Sequence, residues 1–385
     1  MKITIISHYF WPDNYRINLF ASELIKKGMT VEVITSSPMD NSLNSGIFKN
    51  IIIHRIKNRR VKNHRNYEII LNYLTFYFNA LIFIFLKRKK LKVSNIFVFQ
   101  PSPIFIGLIG VFLKKFTKSR MFIWVLDLWP QTIFNHNIVR EKSIFGKILI
   151  KISKIIYSNS EIIYQHCETF ENEIRKYSDD KKIIYLPSSA EDVFENNTIK
   201  NLNSKKIKIL FAGNIGRSQD FDMIVKVLSL KQFSNIKLNI IGDGRGVTNL
   251  KKLVLKNKNK NITILNRVSI NKVTDYYKDS DFFFITLKDF EIFKLTIPGK
   301  FQSYLRFSKP ILGIIDGVTK NIINDNECGF AINNNDENGL KTIFEKLKKM
   351  KQMEYEILCK NSKKLYNLKY DIHKNMRKFI KSLSL

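Results

Sequence analysis

Two doubly wound α/β domains, each a parallel sheet with helices on both faces, are what this 385-residue sequence predicts. Three observations lead there. Short apolar runs bounded by turn residues alternate with segments of helical period along the chain. The alternation breaks once, at a polar Asn- and Lys-rich stretch over 195–206, and then starts afresh. At 44 % hydrophobic residues the chain can fill two cores, and single cores stop growing at roughly 250–300 residues.

In order, the first-half strands are expected at 2–7, 31–35, 51–54, 95–99, 121–125, 161–164 and 183–186. Each is rich in Ile, Val and Phe, as strands covered on both faces must be. A second set is expected at 207–212, 236–241, 262–265, 281–286 and 310–314. The Lys-rich segment over 354–385 is helical in period and is expected to pack back toward the first domain. The resulting division is 1–200, 201–360 and a C-terminal helix over 361–385. Two such domains in tandem predict an interdomain cleft, with ligands at the carboxyl ends of the strands, where open α/β sheets bind them.

The chain carries 65 Lys and Arg against 33 Asp and Glu, a net charge of +32. A field this positive suits nucleic acid, an anionic membrane surface or phosphorylated substrates; it also suits solvated surface faces. No finger, basic zipper or aromatic RNA motif is present, so nucleic acid is not expected as a partner. The segment over 67–86, YEIILNYLTFYFNALIFIFL, has about the length a bilayer span needs, but Glu68, Asn72 and Asn79 interrupt it and KRKK follows. A core helix and a helix lying in a membrane interface both fit this pattern better than a span. The opening MKITIISHYF reads as a buried strand and not as a signal peptide, so a cytoplasmic location is expected. Cys167, Cys328 and Cys359 form no CxxC pair and suit reduced, packed thiols.

Four segments at strand ends carry the chemistry. In FAGNIGRSQDFD the strand over 207–212 runs into Gly213, Asn214, Ile215 and Gly216, whose backbone amides suit a phosphate, with Arg217 beside them. A structural strand-to-helix turn has the same form. IIGDGRG places Gly242 and Gly244 at a second such turn, without the third glycine of a dinucleotide fingerprint; Arg267 follows the next strand. KDFEIFKLTIPGKFQSYLRFSKPIL supplies Asp289, Glu291, a Pro298-Gly299-Lys300 turn and a helix in which Gln302 and Ser303 can hydrogen-bond hydroxyls. Lys300 suits a diphosphate, and ordinary capping with solvated charge is the alternative. In the first half, HYFWPDNYRIN offers Asp13 and Arg16, and WVLDLWPQTIFNH offers Asp127, Trp129 and His136, with aromatic faces that suit a sugar or a core.

Taken together and in this order, YFWPDNYRINLFASELIKKGMTVEVIT, FIWVLDLWPQTI, IIYLPSSAEDVF, LFAGNIGRSQDFD and TIPGKFQSYLRFSKPIL resemble glycosyltransferase family 4, in particular its bacterial O-antigen and capsule subgroup with L-fucosamine transferases of the N-acetylfucosaminyl type. The resemblance covers essentially the whole chain. It implies a GT-B fold and a retaining, metal-independent hexosyl-type transfer with no cofactor beyond the nucleotide-sugar donor. The donor would be a UDP-sugar, possibly of an N-acetylated deoxyhexose. The acceptor would be an undecaprenyl-diphosphate-linked saccharide of lipopolysaccharide or capsule biosynthesis, on the inner face of the plasma membrane.

By the same resemblance the donor is bound by Gly213, Asn214, Gly216, Arg217, Gly242, Gly244, Arg267, Lys300, Gln302 and Ser303. The acceptor is bound by Asp13, Arg16, Asp127 and Trp129, and the reaction engages Asp127, Lys300, Glu291 and Asp13. The family's two Glu, with seven residues between them, would fall at 295 and 303, where Leu295 and Ser303 stand. Glu291 or Asp289 would replace the first, and Gln302 or Ser303 the second. The Gly-Gly loop after the first strand is replaced by Asn14, Tyr15 and Arg16, and the His before Asp127 by Leu126. A non-hydrolysing UDP-sugar 2-epimerase of the same architecture is the alternative; it would need no lipid.

Overall fold

The structure is a computed structural model that describes residues 1–384 apart from 14, 39–45, 50, 60–65, 192–198 and 217. The chain divides into two compact units, 1–187 with 372–385, and 188–371. Each is built on its own parallel sheet.

The first unit contains β1 (Lys2–Ile6), α1 (Arg16–Lys26), β2 (Thr30–Ser36), β3 (Ile52–Ile56), α2 (Asn66–Lys87), β4 (Asn95–Gln100), α3 (Ile106–Thr117) and β5 (Arg120–Val125). It continues with α4 (Gln131–Asn135), α5 (Ile144–Asn159), β6 (Ile162–Gln165), α6 (Glu171–Ser178) and β7 (Lys182–Tyr185). The strands lie in the order β3-β2-β1-β4-β5-β6-β7, all parallel. The order reverses between β1 and β4, so the loops after these strands, beginning at Ser7 and Pro101, flank the crevice that this topology opens.

The second unit contains β8 (Ile207–Ala212), α7 (Asp222–Leu228), β9 (Ile236–Ile241), α8 (Val247–Lys256), β10 (Ile262–Leu265), α9 (Ile270–Asp279), β11 (Phe282–Thr286) and α10 (Glu291–Lys294). Then follow α11 (Lys300–Arg306), β12 (Ile311–Ile314), α12 (Val318–Asp325), β13 (Gly329–Ile332), α13 (Glu337–Lys349) and α14 (Gln352–Leu365). Its order is β10-β9-β8-β11-β12-β13, with the reversal between β8 and β11. The sixth strand, β13, is absent from the sequence expectation. Its four residues, GFAI, begin with glycine and sit among polar neighbours, and pairing with β12 makes them a strand.

The last helix, α15 (Ile372–Leu383), belongs to the first unit. Its Met376, Phe379 and Leu383 are buried in that unit's core, where Phe379 meets Phe20 at 4.9 Å and Phe97 at 5.2 Å between ring centroids. Ser382 and Tyr164 share a 2.6 Å hydrogen bond. The boundaries therefore fall at 187/188 and 371/372, where the sequence suggested 200/201 and 360/361. Side-chain anchoring explains the second shift. Ser362 of α14 donates to the Lys309 carbonyl at 3.1 Å, and Tyr355, Leu358 and Cys359 are part of the second core, so α14 stays with the second unit to its end. All three cysteines are buried and reduced.

Candidate functional sites

In the second unit, Lys300 opens α11 and extends its ammonium over the ring of Phe211, the penultimate residue of β8, 3.4 Å from the centroid. Burial pulls the amine down to about 7. Among the described residues no carboxylate pairs with it. A Cβ on Gly213 would lie 3.5 Å from Lys300 Cε, an ordinary contact, so it is the φ of +138° and not room for the lysine that favours glycine there. Ionising this amine is costly until an anion arrives, which is what a diphosphate would supply.

The glycine turn works differently from its sequence reading. The Gly213 amide already donates to the Ile241 carbonyl, that of Ile215 to the Asp243 carbonyl, and that of Gly216 to Gln219 Oε1. Of the four expected phosphate amides, only that of Asn214 is left without an acceptor among the described residues. Gly242 and Gly244 are likewise engaged in packing loop on loop. A Cβ on Gly242 would sit 1.9 Å from the Gly213 carbonyl oxygen, and one on Gly244 2.5 Å from that of Ile215. Close backbone approach is the reason for these glycines, and it does not require a ligand.

Ser303 and Gln302 lie in α11, both buried. Neither Gln302 Oε1 nor Nε2 has a hydrogen-bond partner among the described residues, a cost that a buried amide bears only when something else satisfies it. Glu291, by contrast, is an exposed residue at the start of α10. It is ion-paired to Lys294 at 2.7 Å, and Lys294 also meets Asp289 at 3.2 Å. Arg267 is exposed after β10. Arg217 lies outside the described residues, as does Asn14.

In the first unit the loops after β1, β4 and β5 converge. Ser102 is the hub: its hydroxyl donates to Asp127 Oδ2 and accepts from Trp129 Nε1, both at 2.8 Å. Burial raises the Asp127 carboxyl above its ordinary value, while hydrogen bonds from the Ser102 hydroxyl and backbone amide act to lower it. Trp129 is buried with its NH committed to Ser102, so it holds the hub in place and is not an open sugar platform. His136 is bound to the Thr132 carbonyl one helical turn back. Cis peptide bonds precede Pro12, Pro103 and Pro130 in these same loops.

Beside this hub lies an aromatic cluster that the sequence reading missed. His8 packs against Tyr9, Tyr73 and Phe76, with ring centroids 4.4, 4.6 and 4.7 Å away, and Tyr9 stacks on Tyr15 at 4.6 Å. The charge of Asp127 is felt at Tyr73, and that of Asp13 at Tyr9 and Arg55. Arg55 Nη2 donates to the Trp11 carbonyl, and Asn18 Nδ2 to the Asp13 carbonyl at 2.7 Å. Arg16 begins α1 just beyond, half-buried. Asp13, Asp127, Tyr9, Tyr73 and His8 thus share one neighbourhood at the switch point of this sheet. The signal in the sequence was HYF immediately after β1, but Tyr73 is contributed by a helix more than sixty residues later, which no local pattern announces.

His8 is fixed in one protonation state. Asn72 Nδ2 donates to the Arg59 carbonyl at 2.6 Å, leaving Asn72 Oδ1 to accept from His8 Nε2 at 2.7 Å. Burial lowers the imidazole to about 4, with the Asn72 bond opposing. At neutral pH His8 is therefore uncharged, protonated on Nε2, with Nδ1 an acceptor.

Known proteins match this chain in three ways. Residues 192–365 match the family model "Glycosyl transferases group 1". A curated relative from Pseudomonas aeruginosa, described as "Probable glycosyltransferase WbjE", is 24 % identical over 242 residues, 59 % of this chain and 60 % of the relative, so the match spans less than two thirds of that protein. Among solved structures, the sucrose-phosphate synthase of Thermosynechococcus elongatus superposes with a TM-score of 0.79 at 12 % identity, covering 100 % of this chain and 98 % of that one. Anabaena Alr3699/HepE, solved in complex with UDP-glucose, superposes at 0.67 with 10 % identity, covering 100 % and 99 %. The chain therefore has the GT-B fold of the glycosyltransferases, and its residues 192–365 match the group 1 family.

Proposed function

We propose that this protein is a retaining glycosyltransferase that moves a sugar, possibly an N-acetylated deoxyhexose, from a UDP-sugar to an undecaprenyl-diphosphate-linked saccharide in O-antigen or capsule biosynthesis. The observation that carries the reading is the desolvated Lys300 beside Gly213 within the group 1 match, a cation poised for a diphosphate. The solved neighbour with UDP-glucose supports the donor class. The second unit would hold the donor and the first the acceptor.

In this reading the acceptor hydroxyl oxygen bonds to the anomeric carbon on the face the diphosphate leaves, the carbon–oxygen bond to UDP breaks, and the hydroxyl proton passes to a diphosphate oxygen. No enzyme nucleophile is consumed. Lys300 offsets the charge that builds on the departing UDP, and Asp127, held by Ser102, orients the acceptor hydroxyl. No resident metal or cofactor takes part in this scheme.

The membrane side of the reading rests on α2. It is long and apolar enough to cross a bilayer, yet its polar residues are bound within the protein: Asn72 to His8, Thr75 to the Arg59 amide, and Asn79 to the Lys57 carbonyl. Its apolar Ile70, Leu74, Phe78, Ile82 and Phe85 are exposed along one face. A helix with this division lies in the plane of a membrane surface, with the basic 87–90 cluster on anionic headgroups, at the cytoplasmic face where the acceptor resides.

The test is product analysis by mass spectrometry. Purified protein is incubated in detergent, without added metal, with a panel of UDP-sugars and a lipid-diphosphate-linked N-acetylhexosamine. A gain of one sugar on the lipid is expected. A folded protein that transfers none of them, nor a GDP-sugar control, overturns the reading. Isomerisation of a UDP-sugar without acceptor would point to the 2-epimerase.

A further inference from the structure

The first unit contains a cavity of about 270 Å³ that the reaction just described does not use. Three helices wall it: Tyr73, Phe76 and Tyr77 from α2, Phe105 and Ile109 at the start of α3, and Ile152 from α5. Among the described residues no charged side chain lines it. The cavity is a pocket partly open to the surface, where Leu74 and Phe78 are exposed. An engineered apolar cavity of about 150 Å³ takes up benzene, so by that scale this one accommodates on the order of ten carbon atoms.

The lining is not uniform. Part of it, Leu74 and Phe78, also belongs to the exposed apolar row of α2, so cavity and outer face are continuous. Another part, His8 and Ser102, is polar. Ser102 holds Asp127, and His8 is packed on Tyr9 and Tyr73. The cavity thus joins a surface suited to lipid with the polar crevice at the β1/β4 switch point. A molecule matching this lining has a hydrocarbon chain at one end and a hydroxyl-rich polar group at the other.

We propose that this cavity receives the first stretch of the hydrocarbon chain of the lipid-linked acceptor, so that the acceptor is recognised by its lipid as well as by its sugar. The assignment rests on the acceptor reading above and adds to it a location and a chemical class of contact. The occupant is the acceptor's own chain and not a bulk membrane lipid, because the polar part of the lining adjoins the Ser102–Asp127 pair that a headgroup without a reacting hydroxyl would obstruct. Chain length beyond the cavity would remain in the membrane or detergent phase. The uncharged state of His8 suits this placement, since a cation beside a mostly apolar lining would carry a desolvation cost.

The experiment compares binding of farnesyl phosphate and butyl phosphate to the full-length protein by titration calorimetry, below the micelle-forming concentration of either. Wild-type protein is expected to bind farnesyl phosphate saturably, at one site, at least tenfold more tightly than butyl phosphate. Ile152→Trp, which fills the cavity, and Leu74→Asp, which places a charge at its exposed mouth, should each abolish that preference while leaving UDP binding at the wild-type value. Leu74 is 41 % exposed, so its replacement leaves the core intact even if the Trp variant does not fold. Equal affinity for the two phosphates in wild type, or a preference that survives both substitutions, overturns the proposal. Chain-length-dependent binding with no transfer to any lipid-linked saccharide would keep the cavity assignment and remove the transferase reading. Transfer at an acceptor KM indifferent to chain length would do the reverse.

Discussion

Lys300 Nζ stands 3.4 Å from the centroid of the Phe211 ring, and among the described residues no carboxylate joins that aromatic face in stabilising its charge. A cation–π contact offsets part of the desolvation of the amine, which burial still lowers to about 7. In the proposed donor site, the charge of Lys300 would depend on the bound diphosphate.

UDP binding should therefore take up a proton near neutral pH, because a diphosphate raises the amine above its free value. Affinity should fall as pH rises above about 7, by up to tenfold per unit until the bound-state value is reached. Lys300→Arg should flatten this dependence, and Lys300→Met should weaken UDP about ten- to a hundredfold, the worth of a charge-assisted hydrogen bond. Calorimetry in buffers of different ionisation enthalpy measures both affinity and proton uptake.

Ser102→Ala removes the donor to Asp127 and the acceptor of the Trp129 NH together. Leaving a buried indole NH unpaired should cost about 1–3 kcal/mol of stability in urea unfolding. Loss of the hydroxyl bond also raises the Asp127 carboxyl further, so the acid limb of the transfer rate should move to higher pH. Ser102→Thr, which keeps the hydroxyl, should restore the pH profile.

His8 predicts an acid-sensitive fold. Its imidazole is about 4 in the native state and about 6.5 unfolded, so the unfolded chain binds a proton that the folded chain refuses between these values. Stability should be lost as pH falls from about 6.5 to about 4, by roughly 3 kcal/mol in all if the full shift applies. Comparing unfolding of wild type and His8→Gln across this range isolates the contribution; the variant should show a shallower loss.

On α2, Phe78→Ser with Ile82→Ser should leave circular dichroism unchanged, because both residues are 56 % exposed. Sedimentation with vesicles containing phosphatidylglycerol should fall at least tenfold, given about 1.5–3 kcal/mol for each large side chain buried. Added salt should weaken the wild-type protein too, through the basic 87–90 cluster. Vesicle binding unchanged by both substitutions would remove α2 from the membrane.

Phe379→Ala should destabilise the first unit by about 3–5 kcal/mol, as expected for emptying a fully buried ring site. The readout is the transition of Trp124 fluorescence, since Phe20 packs on both Phe379 and Trp124. Cleavage after Asp371 should have the same effect, because it removes the whole of α15.

Much of this protein was legible in one dimension. The strands along both sheets, the break between the two halves and the Lys300 turn follow from hydrophobic period and turn chemistry, which are local properties. The pair of doubly wound sheets and the turn that places Lys300 at the start of α11 belong to that part. What sequence alone could not determine depends on groups brought together from afar. The glycines after β8 and β9 fit a phosphate cradle or a structural turn equally in the sequence; their amides and missing side chains serve loop-on-loop packing, and those backbone partners are invisible until both strands stand side by side. His8 and Tyr73 were passed over, and the polar residues of α2 looked like flaws in an apolar segment. Tertiary structure turned Asn72 toward His8 and left the apolar row outside, so the same helix lines a cavity and faces solvent. That decision rests on which face of the helix meets the sheet, a long-range fact set by packing and not by the order of the residues.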